Sequence, residues 1–326
     1  MPVFVEKILS WPLRFVAILI VEAMGWLPIE SARSLGRMLG RLGWVFLATE
    51  RRKTCQNLRH LDSAMGKRTR ARIARRCFMQ MGETVLESIS LSKKSRDHLR
   101  TTTSERAARG RVSIKGFATL HETIEKLRSA GKGVILVSAH IGSWELAAAL
   151  IGRTYPGNSA FMAKKYKDPL QQDFIAAIRS RLGCQLVYQD ETLMKSIRIL
   201  QKGGVLSMLT DLDIHRMQGI FVPFFGQPAH TSVAPARLSM QTGAPVLFFY
   251  LIRDNDGYHV EVDEPIFPTA VVEDESSAIE QMTLKINASI ERAIRRNPSQ
   301  WPWMHQRWHT TPEIAERRIR RRSIAG

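Results

Sequence analysis

His140 and Glu145 are separated by four residues in the stretch Ser-Ala-His-Ile-Gly-Ser-Trp-Glu-Leu, residues 138–146. A carboxylate bonded to one imidazole nitrogen fixes the tautomer and raises the basicity of the other nitrogen, which can then take a proton from a hydroxyl. On one continuous helix the two side chains would point about 140° apart, at roughly 100° per residue, so they meet only if the chain bends between them. The flanks supply a bend. Residues 134–137, Val-Ile-Leu-Val after Gly133, read as a fully buried strand, and residues 146–151 are good helix formers that Gly142 or Ser143 can cap. His140 then lies in the strand-to-helix turn and Glu145 in the first helical turn. The carboxyl ends of sheet strands are also where open α/β folds place ligands. A histidine at a strand end has a second reading, as a hydrogen-bonded structural residue.

Other residues of chemical interest fall at the ends of neighbouring elements. Residues 112–114 read as a short strand, 118–130 as a helix, and Gly131-Lys-Gly133 as the turn into the His140 strand, an order that implies a parallel pair with a right-handed crossover. Residues 159–163 form a further strand, followed by Lys164 and Lys165 and by a helix from Asp168-Pro169 to about residue 182. A strand at 185–188, a helix at 192–201 ended by Gly203-Gly204, and a buried strand at 205–209 lead to Asp211 and Asp213. Two acids at a strand end can hold a metal, but no third ligand accompanies them, so no metal site is expected. Their expected role is hydrogen bonding to the loop or to a sugar.

Residues 219–231, Gly-Ile-Phe-Val-Pro-Phe-Phe-Gly-Gln-Pro-Ala-His-Thr, read as a rigid apolar loop. Phe221, Pro223, Phe224, Phe225 and Gly226 suit the wall of an acyl groove or a close backbone approach to substrate. Thr231 opens a helix at 234–241; strands at 243–250 and, antiparallel, 258–262, and a charged helix at 276–295 follow. Residues 297–312 then bring together three tryptophans with His305, Arg307 and His309. Such a set can stack on bases or sit at a membrane interface.

Composition narrows the partners. With 48 Lys and Arg against 30 Asp and Glu in 326 residues, the formal charge is +18, which calls for an acidic protein, an anionic lipid face or nucleic acid. No zinc-finger spacing, ribonucleoprotein-type segment or recognition helix supports nucleic acid. Three widely spaced cysteines, Cys55, Cys77 and Cys184, argue against a disulfide framework and for a reducing compartment. The apolar run at residues 15–21, with Trp11, Trp26 and Trp44 around it, is too short to span a bilayer comfortably and reads as an interfacial helix, against the alternative of a core helix. Basic residues crowd positions 51–76 and again 317–322, and both stretches suit anionic headgroups. The organisation expected is a membrane-associating segment at 1–49, a catalytic domain at 50–312 and a basic tail at 313–326. The fold class is α/β, with a mixed, largely parallel sheet flanked by helices.

His-Ile-Gly-Ser-Trp-Glu-Leu resembles the His-x4-Asp/Glu block of the lysophospholipid acyltransferase superfamily, and its Trp-Glu-Leu ending resembles the bacterial lipid A late acyltransferase branch. Phe-Val-Pro-Phe-Phe-Gly-x-Pro-Ala is similar to the same branch and more specific, and the Pro, Trp, His and Arg of the C-terminal segment follow in the same order. Where that branch usually carries arginine in a Tyr-Arg-Pro-like run, this chain has Ala-Lys-Lys-Tyr-Lys-Asp-Pro, which keeps charge but loses the bidentate fork that grips phosphate. The resemblance implies acyl transfer from a thioester, on acyl carrier protein or coenzyme A, to a hydroxyl of a lipid A precursor at the cytoplasmic face of the inner membrane, with no cofactor. It implies His140 as general base, Glu145 as its partner, Lys164 and Lys165 facing the acceptor phosphate, and the 221–226 loop and Arg307 at the substrate. A same-branch enzyme for another glycolipid or lysolipid is the nearer alternative. A non-catalytic nucleic-acid-binding protein is the remoter one.

Overall fold

A computed structural model describes residues 19, 23–93, 114–166, 168–181, 183, 185–188, 193–214, 219–254, 257–269 and 274–317. Helices α1 (Ile29–Phe46), α2 (Ala48–Leu61) and α3 (Lys67–Lys93) come first. The α/β part follows as β1 (Ile114–Lys115), α4 (Phe117–Arg128), β2 (Val134–Ser138), α5 (Trp144–Thr154), β3 (Ser159–Ala163), α6 (Pro169–Arg181), β4 (Leu186–Tyr188), α7 (Leu193–Gln201) and β5 (Val205–Leu209). Then come β6 (Gly219–Phe224), β7 (Gln227–Ser232), α8 (Ala234–Thr242), β8 (Val246–Arg253), β9 (Tyr258–Val262), α9 (Glu275–Arg296) and a 3-10 turn at Pro298–Gln300. Apart from Leu19 and Arg317, the apolar run at 15–21 and the arginines of the tail lie outside the described residues, as does Cys184. Among the described residues no helix is long and apolar enough to cross a membrane.

The main sheet has the order β1-β9-β8-β2-β5-β3-β4, parallel throughout except for the antiparallel β8–β9 pair. This is the mixed, largely parallel sheet expected. The crossover from β1 to β2 is not a parallel pair, however. β8 and β9 stand between them, and the β8–β9 reversal leaves β1 running against β2. Every residue of β2 is buried, and its side chains alternate between two cores. Ile135 and Val137 pack on one face of the sheet with Val246, Phe248, Trp301 and Trp303, and Val134 and Leu136 on the other with Leu247, Phe249 and Leu146.

The apolar stretch at 219–231 is a β-hairpin, not a loop. β6 and β7 pair antiparallel with Pro223 opposite Pro228, and Phe225 and Gly226 turn between them at φ 51° and 72°. Both central residues at positive φ make the two-residue turn whose twist matches the flanking strands. Prolines can occupy both strands because a two-stranded ribbon has edges on both sides, where a missing N–H leaves no ladder bond unmade.

Helices α1 and α3 cross with their backbones touching. A Cβ on Gly40 would run into the carbonyl of Phe78, and one on Gly36 or Gly82 into the other's backbone. Arg33 and Arg37 of α1 lock the crossing by donating to the buried carboxylate of Glu83 at 2.7 and 2.8 Å. Gly40→Ala is therefore expected to lower stability by about 1–3 kcal/mol through overpacking. Gly66→Ala, where a Cβ meets nothing within 4 Å, serves as the control. Equal denaturation midpoints for the two variants would show that the helices do not approach this closely.

Candidate active site

The register of the two central strands builds the site. β2 and β5 run parallel with Ser138 opposite Leu209, so the residues just beyond their carboxyl ends, His140 and Asp211, emerge side by side. The Nδ1 of His140 lies 2.8 Å from Oδ1 of Asp211, and the backbone N–H of His140 donates to Oδ2 at 3.0 Å. Trp301 Nε1, arriving from the C-terminal segment, donates to the same Oδ2 at 2.8 Å. Asp211 is fully buried, whereas the His140 side chain keeps 20% of its exposure. Burial alone would push the Asp211 carboxyl up, but the charge on His140 and the bonds from His140 and Trp301 outweigh it and hold the group far below the carboxylate range. A carboxylate on Nδ1 makes that nitrogen the protonated one, and Nε2 carries the free lone pair.

This corrects the expected dyad. The carboxylate bonded to the ring is Asp211, not Glu145. Glu145 sits in the first turn of α5 and faces Arg179 of α6, which grips it with Nη2 at 2.8 Å from Oε1 and Nε at 3.2 Å from Oε2. Burial raises the Glu145 carboxyl, but Arg179, then His140, then a bond from Trp144 together pull it below its ordinary value. Glu145 thus acts on His140 through space. It borders, with Arg179 and Trp144, a cavity of about 60 Å³ whose other walls are mostly apolar, among them Leu136, Phe161 and Met208, with Ser138 and Ser207.

His305 stacks edge-on to His140 with ring centroids 5.6 Å apart, and Trp144 does so from the other flank at 5.4 Å. Asn57 of α2 fixes the His305 segment by donating to the carbonyls of Trp303 and His305 at 2.8 and 2.9 Å. The Nε2 of His305 is buried and has no hydrogen-bond partner among the described residues. Burial and the neighbouring His140 push its pKa down to about 4, so the ring is neutral at physiological pH.

The remaining expected site residues divide into two groups. Lys164 and Lys165 are exposed just beyond the carboxyl end of β3, at the same sheet edge as His140 with β5 between. Asp213, Thr231 and Arg307 are structural. Asp213 Oδ2 accepts from both the N–H and the hydroxyl of Thr310 at 2.8 Å, which ties the C-terminal segment down. Arg307 is completely buried, donates to the His230 carbonyl at 2.7 Å and to Thr231 Oγ1 at 2.6 Å, and lies over the ring of Phe224. Phe224 and Phe225 are buried against Trp301, Trp303 and Trp308, so the hairpin tip is core and does not line the cavity beside Glu145. Pro223 is exposed and Phe221 half-buried, stacked on His230. Arg179 had no distinguishing mark in the sequence beyond a place in the last turn of a helix.

Residues 6–310 match the bacterial lipid A biosynthesis acyltransferase family. Among individual proteins, the chain is 24% identical over 290 residues to the lipid A biosynthesis lauroyltransferase of Escherichia coli K12, covering 88% of each chain. It is 26% identical over 196 residues to the palmitoleoyltransferase of the same organism, covering 59% of this chain and 60% of that one. A phosphatidylinositol mannoside acyltransferase of Mycobacterium tuberculosis is 25% identical over 188 residues, covering 55% and 56%. With nearly its whole length matched, this chain belongs to the bacterial lipid A biosynthesis acyltransferases, a family of O-acyltransferases.

Proposed function

We propose that the protein moves a fatty acyl group from the thioester of an acyl carrier protein to a hydroxyl of a phosphorylated lipid A precursor, with His140 as general base. The observation that carries this is the His140–Asp211 pair: a buried carboxylate on Nδ1 and a free Nε2 at an accessible strand end. Nε2 takes the acceptor's proton as its oxygen bonds to the thioester carbonyl carbon. The tetrahedral intermediate then collapses, the C–S bond breaks, and the proton returns from His140 to the departing sulfur, leaving an ester and a free thiol. Asp211 and Glu145 are both anionic and both favour the transient imidazolium. The apolar cavity beside Glu145 takes the start of the acyl chain. Lys164 and Lys165 face the acceptor's phosphate as point charges.

The setting is an anionic membrane surface. Helix α1 exposes Met38, Leu42, Val45 and Phe46, and Trp26 and Leu47 flank it; Arg41, Arg52 and Arg59 are exposed on the same helical region. An apolar stripe with basic borders suits the headgroup boundary of an anionic bilayer. The free thiols of Cys55 and Cys77 suit its reducing, cytoplasmic side. The net charge of +18 favours an acidic carrier protein as donor. A mannolipid acceptor is the second reading, favoured by the mannoside acyltransferase among the relatives and by lysines where the lipid A branch has an arginine.

Acyl transfer to a lipid A precursor and to a phosphatidylinositol mannoside, each from acyl carrier protein, tests the assignment. His140→Ala is expected to cost about 10²–10⁴-fold in kcat, and Asp211→Asn a loss of the same order through the wrong tautomer. An Asp211→Asn enzyme with wild-type kcat would remove Asp211 from the base. Transfer to the mannoside alone would replace the acceptor.

The neutral His305 gives a separate, equilibrium test. The unfolded chain protonates this ring near pH 6.5 and the folded one only near pH 4, so between those values the unfolded state binds more protons. Stability from this group is intact above pH 6.5 and falls as the pH drops towards 4. The Asp211 contribution is lost only at lower pH, because its carboxyl is depressed. His305→Asn is expected to flatten the fall in thermal midpoint between pH 6.5 and 4. Parallel curves for wild type and variant would mean the ring titrates normally.

A further inference from the structure

Beneath the His140 turn lies a buried ionic cluster that the acyl-transfer chemistry does not touch. Arg253, at the end of β8, has a side chain 2% exposed, and Glu83 and Glu87 of α3 are exposed to 2% and 1%. The Nη2 of Arg253 donates to three acceptors, Thr84 Oγ1 at 2.8 Å, Glu87 Oε2 at 2.8 Å and Ser143 Oγ at 2.6 Å, and its Nη1 to Gln80 Oε1 at 2.5 Å. Ser143 in turn donates to Glu87 Oε2 at 2.5 Å, and Tyr258 to Glu87 Oε1. Thr84 donates to the carbonyl of Gly142 at 3.0 Å.

The cluster and the strand beneath it hold most polar atoms of the two residues that bend the chain from β2 into α5; the Ser143 carbonyl accepts from the Ala147 N–H in the helix. The Gly142 carbonyl is held by Thr84 and the Ser143 hydroxyl by Glu87 and Arg253. The Gly142 N–H donates to the carbonyl of Gln300 at 3.0 Å and the Ser143 N–H to that of Leu251 at 2.9 Å. Gln300 is itself clamped to the Arg253 backbone, accepting from its N–H at 3.0 Å and donating to its carbonyl at 2.8 Å. Gly142 stands at φ 61°, and a Cβ there would strike the Leu251 carbonyl, so no other residue gives the turn this path. A buried ion pair has little net stabilisation over an apolar replacement, since desolvation offsets the attraction. What this one supplies is direction. A planar guanidinium with fixed donors holds α3, β9 and the turn in one geometry, which a point charge cannot do.

We infer that Arg253, acting through Glu87, Thr84 and Ser143, is a positioning residue for the acyl-transfer reaction: it sets the Gly142-Ser143 bend and thereby the angle at which His140 meets both Asp211 and the substrate. The inference rests on His140 being the base. Misplacing a catalytic group by about an ångström costs on the order of 10²-fold in rate, while substrate sites away from the turn are left as they were.

Arg253→Lys keeps the charge and loses the multiple donation. Ser143→Ala and Thr84→Val each remove one hydroxyl with its two hydrogen bonds and leave the ion pairs whole. Full-length enzyme in detergent is assayed for kcat and KM with both substrates, and the Nδ1–H proton of His140, identified by its disappearance in His140→Ala, is followed by NMR. Arg253→Lys is expected to lower kcat at least tenfold with each KM within twofold, and to displace or broaden the His140 resonance. Ser143→Ala and Thr84→Val should each lower kcat about fivefold with the same resonance change. If Arg253→Lys does not fold, the two hydroxyl variants decide. Wild-type kcat in both, or losses of kcat that track the unfolded fraction with an unmoved resonance, overturns the inference. If the wild type transfers no acyl group to any acceptor, the assigned function fails instead. The resonance then stands alone, and an unchanged signal in all three variants overturns the positioning role.

Discussion

A carboxylate with no exposed surface must be surrounded by donors, or the cost of removing its charge from water would unfold the site. Asp211 meets that condition with a ring N–H, a backbone N–H and an indole N–H, from His140, His140 again and Trp301. Two of these come from the adjacent parallel strand and the third from a segment ninety positions along the chain. The pairing of β2 with β5 and the docking of the Trp-Pro-Trp segment are thus one requirement. That docking recruits much else. Trp301 and Trp303 pack edge-on at 4.7 Å and take Phe224 and Phe225 of the hairpin with them. Arg307 and Asp213 pin the segment after the tryptophans to the hairpin and to the loop beyond β5. The aromatic residues form the packing that keeps water from the anion, and their interior position follows from that task.

The helical layer answers the same need from the other side. Residue α2 Asn57 holds the backbone at Trp303 and His305, and α3 contributes Thr84 and Glu87 to the turn after β2. Helix α1 reaches the site only at one remove, through Arg33 and Arg37 on Glu83. Its glycine-lined approach to α3 brings these arginines close enough to neutralise a carboxylate that would otherwise be buried beside Glu87 with a single cation for both. The face of α1 turned outward is apolar. One helix therefore presents Met38, Leu42, Val45 and Phe46 outside, with Arg41 among them, and two arginines to a buried carboxylate inside.

Much of this was legible in the sequence where the signal is local. The buried strand before His140, the strands at 159–163, 205–209 and 258–262, and the antiparallel sense of the last all follow from short apolar runs bounded by turn formers. The partner of His140 was not legible, because spacing along the chain favours Glu145, five positions on, whereas contact is set by the register of β2 on β5, seventy-one positions apart. Asp211 was visible as an acid at a strand end, but its direction was not. The hairpin at 219–232 was masked by its prolines, which argue against strands in general and are tolerated here because a two-stranded ribbon is all edge. The place of β1 failed for a related reason: adjacency in sequence predicts adjacency in a sheet, and insertion of β8 and β9 between β1 and β2 leaves no local mark. Arg307 was placed at the substrate by the resemblance alone; in the structure it is buried, with carbonyl, hydroxyl and ring face around its guanidinium and Asp211 and Asp213 nearby.

The charges around His140 suit the proton transfer proposed for it. When Nε2 is neutral, Asp211 and Glu145 bring two negative charges to the ring's surroundings, and Arg179 offsets the one on Glu145. In the proposed reaction, taking up the hydroxyl proton would make the ring the natural counterion of Asp211, so the surrounding charges would favour that step. A second cation beside the imidazolium would undo this. The ring of His305 lies 5.6 Å away, and burial keeps it uncharged. Burying His305 thus keeps a second positive charge away from the ring of His140.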